Sequence, residues 1–396
     1  MASVTDVDVN REIEKAMRVA DYVVDADQHV NPPPTMWSEY LSPQFRAQAP
    51  TLESDGEFDY VCFEGNRKKI NLMSSQAGRS FEQYKNSGKL SDQRRGGWMV
   101  DARLADMDTD GIDVAVIYAP GPLATGDFDL YIDSFGGCNR WLMDFCSHDP
   151  KRLHGVCYIP MVDVDQAIVM LREAHAMGAV GVNIPAFPQT RKAFTKKDAQ
   201  FQALTGDTES ELQYRDRAFD PFWKAACDLD IAITFHLGGR QSRYTDKVNF
   251  LPDMPMARIA MLEVAGIMIY GGVFDRFPDL RVGLIEAGVG WMPWATSFQD
   301  RTWEMQRHWT GNDILHQPSY YWDQNIYASF IFDPPGVAMR HFPGCKNIMW
   351  SSDYPHSETT FPNSQAAIAR NFDGVPTQDR DWIIAGCAEK FYGLTR

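Results

Sequence analysis

The run Tyr22-Val-Val-Asp25-Ala-Asp27-Gln-His29 decides how the rest of the chain is read. It opens apolar, as a short buried strand does, and then turns acidic. Side chains alternate along a strand, so Asp25, Asp27 and His29 fall on one face. Burying two carboxylates and an imidazole together is costly unless something cationic sits among them. A capping aspartate followed by a surface histidine is the plain alternative.

The same ending recurs downstream. Ile231-Ala-Ile-Thr-Phe235 runs into His236, Val282-Gly-Leu-Ile285 into Glu286, and Ile348-Met-Trp350 into Ser-Ser-Asp353-Tyr-Pro-His356. Each signal alone has a structural explanation, since a core histidine or a loop carboxylate is common. Their repetition at one end of apolar strands points to a metal site. An unpaired carboxylate after a buried strand is hard to explain as core.

Between these endings, apolar runs alternate with amphipathic stretches. Val114–Tyr118 follows a polar helix over 101–110, and Val156–Ile159 follows 140–148. Val180–Ile184 follows 164–177, the 231–235 strand follows 221–229, and the 282–285 strand follows 257–270. With Tyr22–Val24, Ile326–Phe330 and Ile348–Trp350 the strands number eight. Strand–helix alternation means a parallel sheet, and eight such units suggest a closed α/β (β/α)₈ TIM barrel spanning 1–396 as one domain. A doubly wound open sheet is the alternative.

Three connections exceed the usual few residues: His29 to about Gly97, Pro185 to Arg217, and Gly238 to Pro255. All follow strands, and so gather at the C-terminal face of a barrel, where active sites lie. The first, an insertion over 30–97, contains a hairpin of Phe58–Phe63 and Lys69–Leu72, turned at Gly65-Asn66, that could cap the barrel.

Composition narrows the partners. The net charge of −15 argues against nucleic acid and anionic membrane. Seven cysteines (Cys62, Cys138, Cys146, Cys157, Cys227, Cys345 and Cys387) stand singly, without CxxC pairs, and read as reduced thiols in a cytoplasmic protein. Neither a signal peptide nor an apolar run of membrane-spanning length is expected. There is no Walker loop or GxGxxG turn.

The pattern resembles the amidohydrolase superfamily, in its decarboxylase-like and hydratase-like branch. The family motif is D-x-H-x-H after strand one, His after strands five and six, and Asp after strand eight. Asp25 matches the leading Asp, Asp27 replaces the first His, and His29 matches the second. His236 matches the strand-five His, Glu286 replaces the strand-six His, and Asp353 matches the last Asp. The resemblance extends to Arg103-Leu-Ala-Asp106-Met-Asp108, Asn139-Arg-Trp141-Leu-Met-Asp144, Asp220-Pro-Phe-Trp223 and Ala388-Glu-Lys-Phe-Tyr392. It implies Asp27, His29, His236, Glu286, Asp353 and His356 as metal ligands. Asp353, His356 and Asp25 are the implied catalytic residues, Asp25 acting by orienting the ligands.

The departures matter. Strand four ends at Asn183, where binuclear hydrolases of the superfamily carry a carbamylated lysine. Two ligand positions have become carboxylates, which suits iron or manganese better than zinc. This combination is similar to the barrel-fold non-haem diiron monooxygenases typified by the platensimycin-pathway hydroxylase. That likeness implies two irons per chain, an external electron donor, and an apolar, terpenoid-like substrate carried as an acyl-coenzyme A thioester. Three basic islands could hold coenzyme A phosphates: Arg67-Lys68-Lys69, Arg191-Lys192 with Lys196-Lys197, and Arg240 with Arg243 and Lys247. Solvated loop charge is the other reading. Trp291 and Trp294 could line a substrate pocket or pack the next helix. The alternative function is a mononuclear zinc or manganese hydrolase, decarboxylase or hydratase acting on a small-molecule substrate, in which Asp353 is ligand and base and His356 or His236 carries protons. A non-catalytic barrel is disfavoured by its retained carboxylates, and a homodimer is compatible with either function.

Overall fold

The computed structural model describes residues 18–191, 199, 202–203, 205–237 and 250–396. Eight parallel strands make one sheet: β1 (Val24–Gln28), β6 (Val114–Tyr118), β7 (Leu153–Tyr158), β8 (Gly181–Asn183), β9 (Ala232–His236), β10 (Val282–Ile285), β11 (Ile326–Phe330) and β12 (Ile348–Trp350). They are hydrogen-bonded in that order, with helices between them. The ends meet just beyond β12. Asp353 N donates to Asp27 O at 3.1 Å, and His29 N donates to Tyr354 O at 2.6 Å. This is the expected α/β barrel, with β1 closed against the segment after the last strand.

Burial on both faces explains why the strands read as near-continuous Val, Ile and Ala. Four strands fall where the sequence puts them, β8 and β9 differ by one residue at each end, and two differ by more, β7 starting three residues early at Leu153. The main one is β1, which begins at Val24 and includes Asp25 and Asp27 instead of ending before them. Apolarity marks where a strand is buried in hydrocarbon; it does not mark where the ladder stops, and polar residues that find partners continue it. The ladder with β6 carries an irregularity between Asp25 and Gln28, where the strand re-aims its side chains.

The insertion after β1 holds an antiparallel sheet of four strands: β2 (Thr51–Ser54), β3 (Asp59–Phe63), β4 (Asn66–Asn71) and β5 (Ser87–Gly88). Phe63 pairs with Asn66, so the two-residue turn is Glu64-Gly65, one residue earlier than expected. Both turn residues have positive φ, 47° and 70°, the backbone such a turn needs. Both ends of the insertion are stitched close to His29. Asn31 N donates to Gly97 O and Asn31 Nδ2 to Ser74 O, each at 2.7 Å.

The inner face of the helix Val100–Asp110 does the stitching from below. Arg103, fully buried, donates Nε to Gly96 O and Nη1 to Gln28 Oε1, both at 2.6 Å, and Nη2 to His29 O. Asp106 accepts from Arg94 Nε at 2.8 Å and from the Tyr354 hydroxyl. The Arg103/Asp106 motif therefore ties β1, the insertion and the turn after β12 together.

All seven cysteines are free thiols. No helix among the described residues is long and apolar enough to cross a membrane. Lys192, Lys196, Lys197, Arg240, Arg243 and Lys247 lie outside the described residues.

Candidate metal centre

Six of the sequence candidates converge at the C-terminal ends of four strands. Asp27 sits in β1 and His29 just after it. His236 ends β9, Glu286 follows β10, and Asp353 and His356 follow β12. Three overlapping groups each place their donor atoms within 4.8 Å of one another: Asp27, His29 and His236; His29, Asp353 and His356; Asp27, Glu286 and Asp353.

The contacts are close. His236 Nε2 and His29 Nε2 both lie 3.3 Å from Asp27 Oδ1. His29 Nε2 is 3.2 Å from Asp353 Oδ1, and His356 Nδ1 is 3.0 Å from the same oxygen. His356 stacks on His29 at 4.1 Å between ring centroids, and His236 meets His29 edge-on at 4.9 Å. Tyr118 closes the floor at 5.0 Å from the His236 ring. Its hydroxyl is 2.8 Å from that of Tyr392.

Backbone strain accompanies the placement. Leu237, Glu286 and Asp353, at the ends of three strands, all have positive φ of 35°, 57° and 57°. Non-glycine residues in this region cost about 1–3 kcal/mol each and cluster at functional sites. The turn redirects Glu286 and Asp353 out of the strand alternation.

Electrostatics set the charge state of the metal-free site. Burial pushes the Asp27 carboxyl up, but His236 and His29 outweigh it and hold it well below the usual range. Asp353 is likewise drawn down to about 2, His356 and His29 prevailing over burial. Burial depresses His29, yet Asp27 and Asp353 raise it to about 10. Burial and the neighbouring Asp353 charge lift Glu286 well above its ordinary value. Three carboxylates in one buried cluster thus share too little positive charge.

The donors fit a metal ion. Asp27 Oδ2, His29 Nε2 and Asp353 Oδ1 are buried without a hydrogen-bond partner, although His29 and Asp353 approach each other. Buried polar atoms are normally satisfied, so three orphans aimed at one point mark a place for a cation. Two imidazoles and two or three carboxylates suit a divalent ion of intermediate hardness.

Asp25 stands apart from this cluster. Its Oδ1 accepts from Ser352 N at 2.8 Å and its Oδ2 from Gln28 Nε2 at 2.7 Å. Burial raises its carboxyl to about 7. It pins β1 to the turn that presents Asp353. Asn183 is buried at the end of β8, its Oδ1 accepting from Thr234 Oγ1 at 3.0 Å.

The sequence reading missed Arg258. Its Nη2 donates to Glu286 Oε1 at 2.9 Å and also meets Glu358. Arg258, Glu286, Phe330, Phe332, Asp333 and Glu358 line a cavity of about 400 Å³ opening beside the ligands. Larger cavities, of about 610 and 680 Å³, share no residue with the cluster. The helix carrying Arg258 has no motif that singles it out, so only the fold could bring it here.

Trp291 and Trp294 do not line this cavity. Trp291 packs edge-on to Trp322 at 5.9 Å, and Trp294 is exposed on the outer face of its helix. In the first basic island, Arg67 pairs with Glu53 at 3.1 Å and lies over Tyr60, while Lys69 lies over Phe58. Those cations are engaged within their own sheet.

A family model described as amidohydrolase matches residues 24–394. A gamma-resorcylate decarboxylase from Rhodococcus jostii is 26% identical over 198 residues, covering 48% of this chain and 56% of that protein. The matched stretch thus spans little more than half of that curated relative. An amidohydrolase from Mycobacterium avium subsp. paratuberculosis superposes with a TM-score of 0.71 at 20% identity, over 95% of this chain and 99% of that one. A dihydroxybenzoic acid decarboxylase from Polaromonas sp., solved with manganese and the inhibitor 2-nitroresorcinol, superposes with a TM-score of 0.63 at 16% identity, over 95% and 98% of the two chains.

Proposed function

Because the chain belongs to the amidohydrolase family, whose model covers 24–394, we propose that it is a metal-dependent decarboxylase of a small aromatic carboxylic acid. Asp27, His29, His236 and Asp353 would hold one divalent ion, manganese or zinc. The observation that carries this reading is the set of orphaned buried donors on Asp27, His29 and Asp353. Held there, the ion would supply Lewis acidity toward the oxygens of an acidic substrate.

The chain's own residues supply the rest. Carboxyl loss breaks a carbon–carbon bond and leaves an electron pair on the ring carbon, which must take a proton. Asp353, held ionised in the metal-free site, would relay that proton from His356, whose Nδ1 stands 3.0 Å from its Oδ1. His356 is half-buried and can exchange that proton with water. Phe330 and Phe332 offer apolar walls, and Arg258, paired with Glu286 and Glu358, stands on the cavity's edge. The decarboxylases among the relatives support this choice of chemistry.

Two irons and a dioxygen reaction fit less well. Arg258 engages Glu286, so one of the six donors is already partnered. The engaged cations of the first basic island weaken the case for coenzyme A, and with it that for an external electron donor.

The test is turnover of a panel of hydroxylated benzoic acids by manganese- or zinc-loaded protein, in air and under nitrogen. The expected result is carbon dioxide and the matching phenol at equal rates in both atmospheres, with about one metal per chain. Turnover that requires dioxygen, or two irons per chain with no carbon dioxide released, would overturn the proposal.

A further inference from the structure

A second cavity opens at the end of the barrel opposite the metal centre. Its volume is about 680 Å³, and it reaches Asp323, Gln324 and Asn347, which precede β11 and β12. The metal candidates stand at the C-terminal ends of their strands, on the other face.

One wall of this cavity is a π-helical turn, Trp382–Gly386, which runs on into the helix Cys387–Tyr392. A single turn of this kind within a helix is frequent at functional sites. Trp382, Gly386 and Lys390 stand four residues apart, so they share one stripe of the helix, and all three line the cavity.

The indole of Trp382 is fixed at both ends. Its Nε1 donates to Lys346 O at 3.1 Å. Its six-membered ring covers Gly386 so closely that a β-carbon there would sit 2.9 Å from Cε3. The residue nonetheless stays 37% exposed. An aromatic ring pinned in place and left open to water is a platform for stacking. Ile348 and Ile383, both buried, continue the apolar floor.

Charge around this platform runs against the rest of the chain. Arg340, Lys346, Lys390 and Arg396 line the cavity with Asp323, Asp379 and Asp381, a local excess of cations in a chain of net charge −15. Lys346 pairs with Asp323 at 2.9 Å, yet its side chain is 65% exposed, so the pair holds it loosely. Lys390 is exposed and forms no ion pair among the described residues, its Nζ lying 5.9 Å from the Tyr327 ring.

We propose that this cavity binds a flat aromatic anion, its ring stacked on the exposed side of Trp382 and its negative group held by Lys390 and Lys346. An aromatic carboxylate and a nucleoside monophosphate share that chemistry. Either would fit, since small-molecule sites run to about 300–1,000 Å³. The site is separate from the metal centre and does not depend on which reaction occurs there.

Calorimetric titration of the full chain with adenosine monophosphate, salicylate and inorganic phosphate tests it. One of the two ring-bearing anions should bind, and phosphate should bind at least tenfold more weakly. Trp382→Ala should weaken that binding by roughly tenfold or more, and Trp382→Phe should retain it. Lys390→Glu should weaken it by about tenfold. Lys390 is exposed, so its variant decides the matter should Trp382→Ala fail to fold. Binding of the nucleotide that needs Trp382 and Lys390 assigns the site to nucleoside phosphates, and such binding of salicylate assigns it to aromatic carboxylates. The proposal is overturned if neither anion binds, or if phosphate binds as tightly as both. It is equally overturned if binding is indifferent to Trp382→Ala and Lys390→Glu, as that of salicylate held at the metal centre would be.

Discussion

His236 Nε2 stands 3.3 Å from Asp27 Oδ1, although the two residues lie 209 positions apart and on strands separated by three others. Only a closed barrel lets β9 and β1 point into one space. The contact does not satisfy Asp27, which keeps a second oxygen without a partner. The pair is half of a coordination sphere, and its behaviour on substitution follows from that.

Asp27→Asn keeps the shape of the side chain and removes its charge. It should lower metal affinity by more than the 10–100-fold that changes behind the ligands usually cause. Metal retained after dialysis, measured by plasma emission spectrometry, checks this. Folding should survive, since a buried charge is lost along with the ion it attracts.

Metal uptake should release protons. In the metal-free protein His29 is raised to about 10, so it is protonated at neutral pH and must lose that proton to bind an ion. Calorimetric titration with manganese in buffers of different ionisation enthalpy should show about one proton released near pH 7. The sign for stability follows from the same shift. The His29 ion pair stabilises the metal-free fold fully below its free value near 6.5, and loses that contribution as pH climbs towards 10. Bound metal should flatten this dependence.

Arg258→Met leaves Glu286 buried against Asp353 without its cation. Breaking a buried pair from one side costs about 3–5 kcal/mol, and the part-exposed Glu358 arm should bring the loss toward the lower figure. Adding Glu286→Gln should recover much of it. Urea unfolding of the four members of the cycle gives the coupling directly.

Arg103→Lys tests the brace behind His29. A lysine ammonium cannot reproduce the fork that reaches Gly96 O, Gln28 Oε1 and His29 O at once. It should destabilise the protein by about 2–3 kcal/mol and weaken metal binding by roughly tenfold. Thermal melting with and without metal separates the two effects.

Much of this site was legible in the chain itself. Asp27, His29, His236, Glu286, Asp353 and His356 announced themselves because each follows an apolar run, where a charged group has no business unless partnered. Strand alternation put Asp25 on one face with Asp27 and His29, yet it stands apart from them, because the irregularity in the β1 ladder is a matter of hydrogen bonds that the sequence does not display. Arg258 was invisible for a different reason. It comes to Glu286 through packing of helices between β9 and β10, and its neighbours in sequence, Ala257 and Ile259, carry no chemistry. The four-stranded sheet was seen only as one hairpin, because β2 is exposed throughout and β5 is two residues long. Trp294 was misread since an aromatic at helical spacing does not say which side of the helix is wet.

The stitching of the insertion has an evolutionary consequence. Asn31 and Gly97 are bonded directly, and Arg103 fastens Gly96 to the carbonyl of His29. The barrel also holds the intervening segment from within, because Met36, Trp37 and Leu41 pack into its core and Arg94 pairs with Asp106. Lengthening a closed loop costs only about 0.6 kcal/mol per doubling. Length can thus change where the segment is exposed, in β2 and the turn at 55–57, while the coordinating atoms of His29 and Asp27 stay where they are.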